Sequence, residues 1–262
     1  MRKYWMLFQK TFQSQMAYRS ATLLTLLSAA VSFVIQVSLW TALIQSGVKD
    51  GITLSDMVVY IVLNTVILTV TRADIASDIE IEIRDGSVAM HLLRPISFKL
   101  YWLSTVMGKN CYKLCVSTLP IVILGAVFAG FSAPKAWWHV LFALISTVLG
   151  TLIMFEITYI VGLIAFWVQK TWYLSFYLKA GTTLFGGTTV PFWFYPELLN
   201  QLSYFLPFRY ISFEAISLYL GKMTFEQGLF SLLCSAVWLA VLEAVGLLVW
   251  RSAQTKLCVN GG

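Results

Sequence analysis

The sequence predicts an all-α protein that crosses a membrane several times, and three features support this fold class. Of the 262 residues, 59% are hydrophobic and only 11% are charged, whereas soluble domains carry about 25% charged residues. The apolar residues are gathered into long runs, and most of the basic residues flank those runs. The formal net charge of +6 is not arranged as a basic stripe, so nucleic acid is not an expected partner.

Six apolar runs are candidates for transmembrane helices, because about 20 residues are needed to cross a hydrocarbon core of about 30 Å. The six predicted spans are Ala21–Gln45, Leu54–Val70, Leu100–Phe131, Ala136–Val168, Trp172–Val190 and Gly228–Trp250. The third and fourth are longer than the core requires, so we expect them to tilt or to project into water. No linker or repeat divides the chain, and residues 1–262 are expected to form one transmembrane domain.

The first 19 residues predict an amphipathic helix that precedes the first span. Trp5, Phe8, Phe12 and Met16 recur at helical spacing, and the basic and amide residues fall elsewhere on the wheel. Such a helix is typical of the membrane interface, where it contacts lipids. The alternative is an ordinary basic flank of the first span. The first apolar run is too long for a secretory signal peptide and predicts an uncleaved span.

The distribution of Lys and Arg predicts the orientation of the chain. An even number of spans places both termini on one face of the membrane. Only Lys49, Lys135, Arg209 and Lys222 lie in the segments on the opposite face, and Lys179 falls within a span. Because basic residues favour the cytoplasmic side, we expect both termini in the cytoplasm of a bacterial cell, with the chain in the plasma membrane.

Residues 191–224 lie outside the cell in this topology and are too aromatic for a solvated loop. Prolines at 191, 196 and 207 predict short helices, which we expect to dip part way into the outer leaflet as a re-entrant hairpin. The aromatic residues proposed as an outer gate are Trp193, Phe194, Tyr204 and Phe208. An interfacial aromatic belt is an equally good interpretation of these side chains.

A polar stretch between the second and third spans, residues 73–98, predicts a helical segment in the cytoplasm. Isoleucines at 75, 79 and 83 recur every four residues, and acidic residues at 74, 78 and 82 occupy the neighbouring face. We therefore expect an amphipathic helix that continues from the second span. The acidic stripe is also the one candidate for a catalytic cluster in a membrane-embedded, lipid-modifying enzyme, although a soluble helix face explains it as well.

A tight turn and a second short helix are predicted next. Gly86 suits a left-handed helix end, and Ser87 can cap the helix "VAMHLL", which must stop before Pro95. The apolar residues that we expect this helix to expose are Val88, Met90, Leu92 and Leu93. This arrangement favours docking to a partner, and the alternative is a solvated loop that joins two spans.

Two stretches resemble the type-2 permease family of ABC transporters. "IEIRDGSVAMHLLRPIS", Ile81–Ser97, is similar to the family's cytoplasmic loop between the second and third helices. "GGTTVPFWFYPELLNQLSYFLPFRY", Gly186–Tyr210, is similar to the family's run entering the outer hairpin. With six spans and the interfacial helix, the resemblance covers essentially the whole chain. The first stretch resembles the smaller branch, whose permeases often occur as non-identical pairs.

This resemblance implies a coupling helix, which inserts into a groove on a cytoplasmic ATPase dimer. The implied coupling residues are Arg84, Gly86, Val88, Leu92, Leu93, Arg94 and Pro95. The chain has no GxxxxGK[ST] loop, so we expect ATP and Mg²⁺ on a separate ATPase, with no cofactor and no enzymatic activity on this chain. A second permease, identical or paralogous, would complete an exporter of a drug, lipid-linked glycan or peptide. The alternative partner role is a non-transporting anchor or sensor.

Glu156, Lys179 and Glu243 fall inside predicted spans, where an isolated charge costs about 2.5 to 3.5 kcal/mol. Lys179 and Glu243 are both about 11 to 12 Å from the cytoplasmic face at 1.5 Å per residue, so we predict that they form an ion pair. The alternative is that they line a substrate path. Glu156 has no partner at its depth, which favours a cavity or subunit interface. The cysteines and the two histidines show no spacing typical of a metal site.

Overall fold

A computed structural model describes residues 2–17, 19–47, 53–93, 95–129, 134, 136–168 and 170–257. Within these residues the chain is helical and forms no strand. The α-helices are α1 (Arg2–Gln15), α2 (Arg19–Gln45), α3 (Leu54–Thr71), α4 (Ala76–Arg84), α5 (Val88–Leu92), α6 (Phe98–Lys113), α7 (Leu119–Ala129), α8 (Trp137–Leu163), α9 (Trp172–Phe185), α10 (Glu197–Tyr204), α11 (Phe213–Tyr219) and α12 (Phe225–Leu257). A π-helical turn, Leu114–Thr118, joins α6 to α7.

Four stretches are long and apolar enough to cross a membrane, which supports a multi-pass membrane protein. They are Thr22–Gln45, Leu54–Arg84, Trp137–Phe166 and Phe225–Lys256. The predicted third span falls on α6, the π-helical turn and α7, which together run from Phe98 to Ala129. The predicted fifth span is shorter than expected, because α9 has 14 residues and is about 21 Å long. Six spans therefore remain a prediction.

The helix α8 is the centre of the fold and contacts α3, α4, α11 and α12. Two glycines permit the closest of these approaches. A Cβ at Gly150 would lie 2.6 Å from the carbonyl oxygen of Ile211, in the segment before α11. A Cβ at Gly162 would lie 2.9 Å from the Cβ of Ile79 in α4. Small residues at these two points bring α4 and the residues before α11 against one scaffold helix.

The N-terminal helix α1 packs along α6, and it is the amphipathic helix that the sequence predicts. The backbone N–H of Ser97 donates to the Tyr4 hydroxyl at 3.0 Å. The rings of Phe12 and Tyr112 meet edge to face at 5.7 Å. Gly108 makes the close approach possible, since a Cβ there would lie 2.8 Å from the carbonyl oxygen of Phe8.

The predicted continuous helix from the second span into the polar stretch is wrong. The helix α3 ends at Thr71, and four non-helical residues precede α4. The side-chain amide of Asn110 donates to the carbonyl oxygens of Val70 and Arg72, at 2.8 and 2.6 Å. Because α6 supplies these donors, the backbone can leave the helix without stranding its last carbonyls.

Residues 191–224, called here the outer segment after their predicted location, have the short helices that the prolines predict. Pro191 and Pro196 immediately precede a 3₁₀ turn (Phe192–Phe194) and α10, and Pro207 begins a second 3₁₀ turn. Proline suits these first positions because its fixed φ fits a helix start and its missing N–H has no intrahelical partner there. The helix α11 is almost wholly buried against α8 and α3. Its depth in a bilayer, and hence the re-entrant hairpin, stays a prediction.

Candidate docking segment and transport sites

Residues 73–98, called here the docking segment, are fixed to the base of the helical bundle through α4. Ile75 and Ile79 are fully buried in a cluster with residues of α6 and α8. On the other side of α4, the buried carboxylate of Glu80 accepts hydrogen bonds from the backbone N–H and hydroxyl of Thr171, at 2.8 and 2.7 Å. Thr171 is the residue before α9, so α4 is attached to three other helices.

The three acidic side chains of the predicted stripe are each paired with a basic side chain. The pairs are Asp74 with Arg72, Asp78 with Lys109 at 3.0 Å, and Glu82 with His91 at 3.2 Å. Arg84, one of the implied coupling residues, is half-exposed and lies 3.6 Å from Glu80. This arrangement is typical of a structural face of a helix.

The turn between α4 and α5 follows the prediction in its backbone but not in its capping. Gly86 has φ +78°, the left-handed conformation that favours glycine. The side chain of Ser87 makes no capping hydrogen bond to α5, so the predicted serine cap is wrong. Its backbone N–H instead donates to Asp85 Oδ1 at 2.9 Å. Hydrogen bonds from Ser87 hold the pKa of the Asp85 carboxyl below its usual range.

The short helix α5 exposes part of the apolar surface that the sequence predicts. Leu93 is 81% exposed and Met90 is 55% exposed, which confirms the prediction for these two residues. Val88 is 1% exposed, so the prediction that it is exposed is wrong. Its side chain joins the buried cluster at the base of the bundle. One face of α5 is therefore anchored and the other is exposed. Pro95 and Gly86 are exposed, whereas Arg94 and the side chain of Leu92 lie outside the described residues.

The anchor of α5 leads directly to α6 and α12. Val88 joins the buried cluster that contains Phe98. The ring of His91 meets the rings of Phe98 and Tyr101, with centroids 5.5 and 4.4 Å apart. Phe98 in turn stacks on Trp250 of α12, with centroids 5.1 Å apart and ring planes 10° apart. A displacement of α5 would therefore act on the start of α6.

Lys99, the residue after Phe98, is the centre of an ion-pair cluster, called here the inner cluster. Its ammonium lies 2.5 Å from Glu156 Oε1 on α8 and 2.5 Å from Glu243 Oε2 on α12. One lysine thus connects α6, α8 and α12. The side chain of Glu156 is 3% exposed and that of Glu243 is 45% exposed. Glu156 Oε2 is buried without a hydrogen-bond partner among the described residues.

The predicted ion pair between Lys179 and Glu243 is wrong. Lys179 is exposed on α9 and makes no ion pair within the described part of the chain. Two residues at similar depth on different helices need not face each other, and Lys99 at the start of α6 reaches both carboxylates instead. Glu156 also has a partner, contrary to expectation. Sequence alone did not indicate that Lys99, placed at a helix start, would turn into the bundle.

The outer segment contains a buried ion pair that sequence reasoning missed, called here the outer cluster. Arg209 Nε donates to Glu214 Oε1, and both side chains are at most 4% exposed. Arg209 Nη1 donates to Asn200 Oδ1 and Ser203 Oγ, each at 2.7 Å. The hydroxyl of Ser231 on α12 donates to Glu214 Oε2 at 2.7 Å. The available signal was two isolated opposite charges five residues apart in an apolar stretch.

Aromatic rings enclose the Arg209 guanidinium. Its carbon lies 3.7 Å from the centroid of the Tyr204 ring and 4.9 Å from those of Phe192 and Phe213, which are cation–π contacts. These side chains and Trp193 line a cavity of about 610 Å³ that also receives Ser217. The Ser217 hydroxyl is buried without a hydrogen-bond partner among the described residues.

The four residues predicted as an outer gate lie in three places. Trp193 and Tyr204 line the outer cavity. Phe194 packs on Trp40 of α2, with ring centroids 4.8 Å apart. Phe208 lies against Gly181 of α9. They do not form a single aromatic group, and a gating role for any of them stays a prediction.

Comparison with known families agrees with this architecture. The family described as ABC-2 family transporter protein matches residues 26–261, which include the docking segment, both ion-pair clusters and the outer segment. The match begins within α2 and leaves α1 outside it. No curated protein matches the chain at a significant level. The chain belongs to the ABC-2 transporter family and is a multi-pass membrane permease of an ABC transporter.

Proposed function

We propose that this chain is the transmembrane subunit of an ATP-driven exporter of a hydrophobic or amphiphilic compound. ATP hydrolysis would take place on a separate cytoplasmic ATPase dimer, which carries ATP and Mg²⁺, and a second permease would complete the transporter. The observation that carries the proposal is the exposed apolar tip of the docking segment, Met90 and Leu93, on a helix anchored to the bundle. A helix that only joined two spans would need neither feature.

The anchoring of α5 supports a mechanical connection from the ATPase to the membrane. Movement of α5 would displace Phe98 through Val88 and His91. Lys99 follows Phe98 and is paired with carboxylates on α8 and α12. Since a lysine side chain can adjust within an ion-pair cluster, a shift of α6 would change how α8 and α12 are held. The segment thereby converts a cytoplasmic displacement into a movement of spanning helices.

The charge distribution supports an orientation with both termini and the docking segment in the cytoplasm. Lys and Arg are frequent in α1, in the docking segment and in α6, whereas the outer segment contains Arg209 and Lys222. Arg209 is neutralised by Glu214 and is buried, so it contributes little charge to the outer surface. This strengthens the asymmetry on which the positive-inside rule depends. We place the chain in a bacterial plasma membrane on the same argument.

The outer cavity supports an amphiphilic substrate. Its volume of about 610 Å³ is in the range of small-molecule pockets, about 300 to 1,000 Å³. The walls combine aromatic rings with a guanidinium and carboxylate that neutralise each other. An apolar molecule bearing hydroxyl or carbonyl groups suits such walls better than an ion. The specific compound, whether a drug, a lipid-linked glycan or a peptide, is left to transport assays.

The test is co-purification of an ATPase with the tagged chain in mild detergent. Leu93→Asp places a carboxylate in the apolar groove that the proposal requires, where it has no partner, and should abolish recovery of a nucleotide-binding subunit. Gln254→Asp adds the same charge at an exposed position near the end of α12 and should leave recovery unchanged. Size-exclusion profiles of the three proteins check that each is folded.

An ATPase that is absent with wild type, or retained with Leu93→Asp, would contradict the proposed docking. An anchor or sensor role is separated by reconstitution into vesicles. ATP-dependent accumulation of a lipophilic dye by wild type supports transport, whereas an ATPase that binds without any ATP-dependent movement of cargo supports a non-transporting subunit.

A further inference from the structure

A cleft between α1, α6 and the junction of α3 with α4 lies apart from the exposed tip of the docking segment and from the outer cavity. Its volume is about 240 Å³. The residues that define its chemistry are Gln15, Arg72, Asp74, Lys109, Asn110 and Lys113. Three cations thus meet at one place on an otherwise sparsely charged chain.

The cations in this cleft are not fully compensated. Arg72 is paired with Asp74, and Lys109 is paired with Asp78 at 3.0 Å. Lys113 is half-buried and makes no ion pair or hydrogen bond among the described residues. Asn110 donates both of its described hydrogen bonds to backbone carbonyls, so its amide is already used. The cleft therefore keeps one positive charge without an anion.

Exposed apolar side chains follow this charge along the chain. Lys113 is the last residue of α6, and the π-helical turn and α7 follow it. Leu119 and Ile123, one turn apart on α7, are each more than half exposed. A cation followed by exposed apolar side chains matches a molecule with an anionic head and a hydrocarbon chain. A free anion would make no contact with these apolar side chains.

We propose that this cleft binds the headgroup phosphate of an anionic phospholipid, with Lys113 as its principal contact. The proposal rests on the proposed orientation, which puts the cleft at the cytoplasmic surface beside the amphipathic α1. Anionic lipids are concentrated in that leaflet, and basic pockets between spanning helices bind their headgroups. The bound lipid would hold α1 against α6 and the start of α4, and hence support the docking segment.

The experiment measures lipid binding to the full-length chain in neutral detergent, by native mass spectrometry and by thermal unfolding. Phosphatidylglycerol should bind and raise the unfolding temperature, and phosphatidylcholine should do so much less. Lys113→Gln should weaken phosphatidylglycerol binding about 5-fold, the effect of one lysine at a membrane surface. Lys3→Gln removes an exposed charge from α1 and should bind as wild type does.

The arms of the experiment separate the possible results. Inorganic phosphate at millimolar concentration should not displace phosphatidylglycerol; full displacement would mean a site for a free anion and would overturn the lipid assignment. Equal binding of the two lipids, or unchanged binding by Lys113→Gln, would also overturn it. If Lys113→Gln is unstable, Lys113→Arg keeps the charge and should retain the preference for phosphatidylglycerol. Because no ATPase is present, failure here is distinguishable from failure of the docking proposal.

Discussion

The inner and outer clusters are both ion pairs in an apolar protein, but they differ in charge balance and in burial. In the outer cluster one guanidinium faces one carboxylate, both are at most 4% exposed, and both oxygens of Glu214 accept hydrogen bonds. In the inner cluster one ammonium is shared by two carboxylates. Glu243 is close to half exposed, and one oxygen of Glu156 has no described partner.

This difference indicates which cluster has a fixed geometry and which can rearrange its ion pairs. The outer cluster joins residues five positions apart and closes with Ser231, so its geometry is determined by one compact segment. The inner cluster joins helices whose paired residues are far apart in sequence. A flexible lysine between two carboxylates can shift its contacts without losing both. We therefore assign rigidity to the outer end and adjustment to the end nearest the docking segment.

The largest effect is expected from breaking the outer cluster. Arg209→Leu leaves the buried carboxylate of Glu214 without its cation and should lower the free energy of unfolding by about 3 to 5 kcal/mol. The yield of monodisperse protein in size-exclusion chromatography, and the thermal unfolding temperature, should both fall sharply.

The double variant Arg209→Leu with Glu214→Leu is the matched control, because it removes both charges. It should recover a large part of the lost stability, since replacing a whole buried pair by apolar residues is often neutral. Wild-type stability of the single variant would contradict a structural role for the outer cluster.

A smaller effect is expected at the inner cluster. Lys99→Met leaves two carboxylates without a cation, but Glu243 is 45% exposed and can be hydrated, so the loss should be about 2 to 3 kcal/mol. Adding Glu156→Gln should restore part of it. One measurement is thermal unfolding. The other is the ATPase activity of the assembled transporter, which the variant permease should no longer change.

Lys179→Met is the control for this prediction, because Lys179 is exposed and unpaired within the described residues. It should unfold at the wild-type temperature. A larger loss of stability for Lys179→Met than for Lys99→Met would favour the sequence-based pairing of Lys179 with Glu243.

The close approaches at Gly150 and Gly162 of α8 also test the difference in rigidity between the two ends. A Cβ at Gly150 meets backbone atoms of Ile211 and Tyr210, which cannot move without shifting the outer segment, so Gly150→Ala should cost about 1 to 2 kcal/mol. Gly162→Ala meets mainly the side chain of Ile79 and should cost less. Thermal unfolding of the two variants in parallel checks the order, and the reverse order would argue that the end near the docking segment is the rigid one.

The smallest effect is expected for Lys222→Ala at the rim of the outer cavity. Its ammonium lies 3.7 Å from Asp56 and both side chains are about one-third exposed. Pairs of this kind contribute less than about 1 kcal/mol. The unfolding temperature should change by no more than the error of the measurement, and a large drop would show that the outer end depends on more than the buried pair.

Features set by neighbouring residues were predictable. Gly86 has the left-handed backbone that its place after α4 predicts, and prolines 191, 196 and 207 stand where the outer helical pieces begin. Features set by partners far along the chain were not. Val88 is buried because Phe98 and the rest of the base cluster meet it. The break after α3 depends on the amide of Asn110, a residue of α6.

The sequence by itself determined the membrane class, the helical periodicity and the punctuation by glycine and proline, because these follow from composition and from interactions over a few residues. It also carried the family resemblance that the family match supports. Only the tertiary structure decided which charges meet. A fully buried charged side chain needs a partner, but several partners satisfy the same depth. The side-chain contacts of Phe98 with α8 and with Trp250 of α12 place Lys99 beside Glu156 and Glu243. The packing of α11 against α8 accompanies the pairing of Arg209 with Glu214.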